Sequence, residues 1–74
     1  MKFTVVFYFD KENSKSAIIG ANSKEELKKE ILETDGWYEY RDESIDADYA
    51  VQMNRVTSIY ISEYQDPNIN FVNF

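Results

Sequence analysis

Ser23-Lys24-Glu25-Glu26-Leu27-Lys28-Lys29-Glu30-Ile31-Leu32-Glu33-Thr34-Asp35-Gly36 is the stretch on which the fold turns. Ser23 and Glu26 have the spacing of a capping box. In that motif the serine oxygen accepts from the glutamate N–H, and the glutamate carboxylate reaches back to the serine N–H. Leu27 and Ile31 fall on one helical face with Leu32 beside them, and Glu25 precedes Lys29 in the order that favours an i,i+4 ion pair. Gly36 supplies a residue for a left-handed cap. The pattern predicts a helix over 24–34, roughly 16 Å long. Its apolar stripe is narrow, as suits a helix that covers part of one sheet face.

The chain on either side of this helix reads as strand. Residues 2–9 are β-branched and aromatic, with Phe3, Val5, Phe7 and Phe9 on one face and Lys2, Thr4, Val6 and Tyr8 on the other. A polar connection over 10–16 leads to a shorter strand at 17–21. After the helix, 37–40 forms a strand with Tyr38 and Tyr40 on one face and Trp37 and Glu39 on the other. Residues 41–44 turn, 45–48 are ambiguous between strand and loop, and 49–53 alternate as a strand. Asn54-Arg55 turns the chain into a last strand over 56–64, where Ile59 and Ile61 oppose Tyr60 and Tyr64. Asp66-Pro67-Asn68 ends it by turn chemistry, and 69–74 alternate as an edge strand or a docking segment. The expected fold is α+β: a small antiparallel sheet of three to five strands in ββαββ order, with one helix on one face. A sheet face lined by Tyr8, Tyr60 or Tyr64 and left uncovered calls for a second subunit or a partner.

Seventy-four residues make a single domain, 1–74. A chain of this size buries only about 60% of the surface its unfolded form exposes. It has neither Cys nor His, so it has no disulfide, no thiolate nucleophile, no zinc–sulfur site and no imidazole ligand. Aromatic residues, 16% of the chain, carry the core instead. The apolar run at 3–9 is too short for a membrane span, which needs about 20 residues, and lacks the cleavage site of a signal peptide. No membrane association and a cytoplasmic location are expected. Phe, Tyr, Ile, Asn and Lys, all encoded by AT-rich codons, are used heavily, as in low-GC bacteria and their phages.

Charge is segregated along the chain. Residues 30–48 carry Glu30, Glu33, Asp35, Glu39, Asp42, Glu43, Asp46 and Asp48 against Arg41 alone, a local charge of −7 where the whole chain carries −6. Asp42, Ser44, Asp46 and Asp48 match the first four ligand positions of a calcium loop. Ala47 stands where that loop requires Gly, and Met53 where it requires a bidentate Glu, so neither metal nor cofactor is expected. Catalysis without His or Cys would rest on strongly shifted carboxylates or tyrosines, which a domain this small has little room to bury. Gly20 and Gly36 are the only glycines and form no phosphate-cradling loop. The lysines of 24–29 alternate with glutamates as on a solvated helix face, and the net charge repels phosphate, so direct nucleic-acid binding is not expected.

These exclusions leave a non-catalytic binding protein. The expected form is a small acidic inhibitor or adaptor docking on a basic protein surface, including one that binds nucleic acid. Phage anti-restriction and anti-CRISPR proteins offer an analogy of size and charge. The candidate docking residues are Glu39, Asp42, Glu43, Asp46 and Asp48, with Tyr38 and Tyr40 as aromatic anchors. Acids at i and i+2 on one strand lie about 6–7 Å apart, so several elements must contribute to imitate DNA. The alternative is a self-associating structural or accessory protein whose acids serve solubility and whose Trp37 plugs the core behind the helix.

Overall fold

The computed structural model describes residues 1–10 and 12–65; the turn at 66–68 and the segment 69–74 lie outside them. Five strands and one helix follow in the order β1 (Lys2–Tyr8), β2 (Ser14–Gly20), α1 (Lys24–Glu33), β3 (Trp37–Asp42), β4 (Ala47–Gln52) and β5 (Ser58–Glu63), with a 3₁₀ turn at Met53–Arg55. The fold is a small α+β arrangement of antiparallel strands with one helix.

The strands form two sheets, where one was expected. Among the described residues a three-stranded sheet runs β2-β1-β5, and β3 and β4 pair with each other in a second sheet. β1 is central, pairing along both edges: Val5 stands opposite Ala17 on one side and Ile61 on the other. Phe3, Val5 and Phe7 point inward and are fully buried with Leu27 and Ile31 of the helix. Burying side chains of this size contributes about 1.5–3 kcal/mol each. The hairpin β3–β4 covers the rest of this inner face. Tyr38 and Tyr40 project from it onto Phe7, with ring centroids at 6.2 and 5.6 Å.

β2 begins at Ser14, three residues earlier than its apolar content indicates. Pairing decides this: Tyr8 lies opposite Ser14, and the intervening loop is closed by Phe9 N–H donating to Asn13 O at 3.0 Å. Asp10 fixes the loop by accepting from the N–H groups of Glu12 and Asn13 and from the Asn13 amide. Those bonds, Glu12's first, hold its carboxyl below the usual range.

The helix starts as expected, with Ser23 Oγ accepting from Glu26 N–H at 3.1 Å. Its end differs. Thr34 is the cap, in extended conformation with its N–H on Ile31 O, and Gly36 takes its positive φ of 83° two residues later. There Gly36 O accepts from Met53 N–H at 2.7 Å, which closes the open end of the β3–β4 hairpin. The left-handed residue therefore serves the strand that follows the helix.

Candidate functional site

The acidic segment is built around β3 and the turn after it. Strand alternation divides β3: Tyr38, Tyr40 and Asp42 face inward, and Trp37, Glu39 and Arg41 face out. The inward three are 4%, 7% and 4% exposed. This corrects their expected place on a docking surface. Tyr38 and Tyr40 stack on each other at 5.8 Å within the core, and Tyr40 continues the stack to Tyr49 at 6.0 Å. Lys15 Nζ stands 3.9 Å from the Tyr49 ring centroid and ends the column with a cation–π contact.

Burial pushes the phenols of Tyr38 and Tyr40 up to about 12. The charge of Glu30 and the nearby Tyr40 add to this at Tyr38; Asp42 and Tyr49 add to it at Tyr40. Among the described residues the buried Tyr40 hydroxyl has no hydrogen-bond partner.

Asp42 is the one buried charged residue among those described, and its Oδ1 is committed internally. It accepts from Ile18 N–H at 3.2 Å, Ser44 N–H at 3.0 Å and the Ser44 hydroxyl at 2.6 Å. Burial alone would raise its pKa. The bonds from Ser44 and Ile18, with the charge of Lys15, outweigh that and hold the carboxyl below its ordinary value. Beside it, Glu43 N–H donates to Ile18 O at 2.8 Å. β3 thus meets the edge of β2 at one residue, Ile18, half through a side chain and without a strand ladder between the two sheets.

The strand continues to Asp42, and residues 43–46 make the turn. Asp46 closes it in the left-handed region at φ 54°, a conformation that Asp tolerates better than most residues. Arg41 reaches across from the outer face to the carboxylates of Asp46 and Asp48, the latter at 3.0 Å. Its guanidinium is held above its ordinary value by those hydrogen bonds, Asp46's first. Asp46 and Asp48 are therefore exposed but share a local cation. With Asp42 turned to Ile18 and Ser44, the calcium-loop positions do not converge. Among the described residues no group of three acids is placed to hold a metal ion.

The remaining acids gather elsewhere. Glu30 from α1, Glu39 from β3 and Glu43 from the turn, with Arg41 as the one base among them, line a shallow groove of about 200 Å³ whose apolar lining includes Leu27, Ile19 and Tyr38. Glu43 also lies 3.7 Å from Lys2 across the exposed surface, a pair worth about 0–1 kcal/mol. Trp37 shares the outward face of β3 with Glu39 and is 61% exposed, so it does not plug the core. Glu30 and Trp37 were absent from the expected docking set. The alternation of 37–40 had already placed Trp37 opposite the buried tyrosines. The approach of Glu30 depends on how the helix lies on the hairpin, which no local pattern encodes.

Among the described residues no helix is long and apolar enough to cross a membrane. No protein-family model, no curated protein and no solved structure matches this chain.

Proposed function

We propose that this chain acts by binding and not by chemistry, as a small acidic inhibitor or adaptor that docks on a basic protein surface. The observation that carries the reading is the exposed Trp37 on the same strand face as Glu39, next to a groove bordered by Glu30, Glu39 and Glu43. Three separate elements contribute acids there, as a surface that engages a cationic partner requires. A large exposed aromatic beside desolvatable charge is the usual composition of a binding hot spot. Trp37 replaces Tyr38 and Tyr40 as the anchor, and Glu39 and Glu43 carry the role first assigned to the whole acidic set. Asp46 and Asp48, already paired with Arg41, contribute less.

Trp37 is the chain's one tryptophan, so its fluorescence reports directly on this surface. Titration with protamine, an arginine-rich polycation, should change its emission, with affinity falling as salt shortens the Debye length below about 10 Å. E30Q/E39Q should weaken binding more than D46N/D48N, which removes the same formal charge. Equal weakening by both variants, or binding that leaves the emission unchanged, would overturn the assignment.

A second reading, self-association through the outer face of the three-stranded sheet, is favoured by Tyr60. It is 52% exposed and lies opposite Val6 in register. Sedimentation of a monomer at high micromolar concentration would remove that reading.

A further inference from the structure

Among the described residues no strand pairs with the outer edge of β5, which lies beside the helix. Ala21 N–H donates to Met1 O on the β2 side of β1, and Tyr64 N–H donates to Lys2 O on the β5 side. Odd residues of β1 therefore bond β2 and even residues bond β5. In the β1–β5 register Val6 faces Tyr60 and Thr4 faces Ser62, so Tyr60 and Ser62 turn their amides toward β1. Ile59 and Ile61 turn theirs outward. Among the described residues no bond takes up these outward groups.

Edge strands are ordinarily blunted by lysine, proline or a bulge. β5 reads Ser58-Ile59-Tyr60-Ile61-Ser62-Glu63 and carries none of these over its central residues. The β2 edge, by contrast, is closed at Ile18 by Asp42 and Glu43.

Between this edge and α1 runs an open groove of about 480 Å³, lined by Lys24, Glu25, Lys28 and Leu32 of the helix and by Ile59, Tyr60 and Ile61 of the strand. Lys24, Lys28 and Leu32 recur every fourth residue and so form one stripe along the helix. Leu32 is 59% exposed, an unusual position for a leucine unless something covers it. A second depression continues from Leu32 past Met53 and Val56 to Ser58. The groove is thus apolar toward Ser58, and along the rest of the helix Lys24 and Lys28 outnumber Glu25.

We propose that this groove receives an extended acidic peptide from a partner protein, which adds a strand antiparallel to β5. Its backbone pairs with Ile59 and Ile61. Its inward side chains present carboxylates to Lys24 and Lys28 and then apolar groups to Leu32 and Ile59. Main-chain bonds supply affinity in this mode, and the alternating pockets supply selectivity. Two lysines against one glutamate, beside apolar Leu32 and Ile59, favour an acidic peptide over a purely apolar or basic one. The site is separate from the acidic groove at β3, so the chain would hold two partners of opposite charge.

The probe is a capped heptapeptide, Glu-Thr-Glu-Thr-Leu-Thr-Leu, added to the full-length chain. Saturating peptide should slow amide hydrogen exchange at Ile59 and Ile61 while leaving Ile18 unchanged. K24Q/K28Q should weaken binding by about tenfold or more, the loss that follows from breaking charge-assisted contacts. Both lysines are exposed helix positions, so the variant retains the fold; L32S independently tests the apolar end. Unchanged exchange at Ile59 and Ile61, or undiminished affinity in both variants, would overturn the proposal. So would protection of these amides without peptide. Concentration-dependent protection would identify a second copy as the occupant, and concentration-independent protection the chain's own C-terminal residues.

Discussion

The Asp42 carboxylate accepts the Ile18 backbone N–H at 3.2 Å, so a side chain closes the edge of β2 where another strand would otherwise stand. The same oxygen orders the following turn through Ser44, and the neighbouring Glu43 N–H takes the Ile18 carbonyl. One residue thereby fixes the position of the β3–β4 hairpin over the core.

Asp42→Ala is expected to destabilise the fold by about 1–3 kcal/mol, since it leaves the Ile18 N–H and the Ser44 groups without their acceptor. Asp42→Asn keeps an acceptor oxygen and should lose less. Urea denaturation monitored by Trp37 emission measures both. Equal stability of Asp42→Ala and wild type would mean that water or a neighbour replaces the carboxylate without cost.

The same contact makes stability sensitive to acid. Asp42 is held below its ordinary pKa in the folded chain, so the unfolded chain takes up the proton first as pH falls. Its contribution is therefore complete above about pH 4, the ordinary carboxylate value, and is lost as pH drops through the lower folded value. Asp42→Asn should flatten the acid limb of a stability–pH profile. An unaltered limb in that variant would assign the acid sensitivity to other carboxylates.

How much of this was legible in the sequence depends on the range of the interaction. The helix and its Ser23 cap could be read directly, because spacing and capping act within a few residues. The faces of β3 could also be read: strict alternation put Tyr38 and Tyr40 together and Trp37 opposite. Which face was buried could not, because aromatic content made both plausible and the choice was made by Phe7, some thirty positions away. Asp42 misled for the same reason. As one acid among eight it looked like surface charge, and only its contact with Ile18, across twenty-four residues, makes it structural. The split into two sheets also depends on which distant strands pair, so it was equally hidden.

Gly36 has a φ of 83°, and a Cβ placed there would meet nothing within 4 Å. The cost of Gly36→Ala is therefore conformational alone, about 1–2 kcal/mol for an L-residue in the left-handed region. Gly36→Asn should cost less, as Asn visits that region more readily. Comparing the two variants by urea denaturation checks this. A neutral alanine would show that the Gly36–Met53 junction adjusts its backbone to suit the side chain.

Tyr40 carries a buried hydroxyl that finds no partner among the described residues. Removing only the oxygen relieves an unsatisfied polar group and keeps the ring stack on Phe7 and Tyr38. Tyr40→Phe is therefore expected to be neutral or to stabilise by up to about 1 kcal/mol, whereas Tyr40→Ala should cost about 3–5 kcal/mol. A clear loss in Tyr40→Phe would show that the hydroxyl has a partner such as a bound water.

Alkaline titration probes the same column of rings. Tyr38 and Tyr40 are pushed up to about 12, chiefly by burial, while an unfolded tyrosine ionises near 10. The folded chain thus holds these protons longer than the unfolded one. The stability tied to them is fully present below about pH 10 and is lost as pH rises toward 12. Phenolate absorbance of the wild type minus that of Tyr40→Phe isolates one ring, and its midpoint should lie well above 10. Asp42→Asn removes one of the charges that disfavour the phenolate, so it should move that midpoint down. A difference titration centred near 10 would mean that the Tyr40 ring is wet, and that the hairpin does not seal the inner face of the sheet.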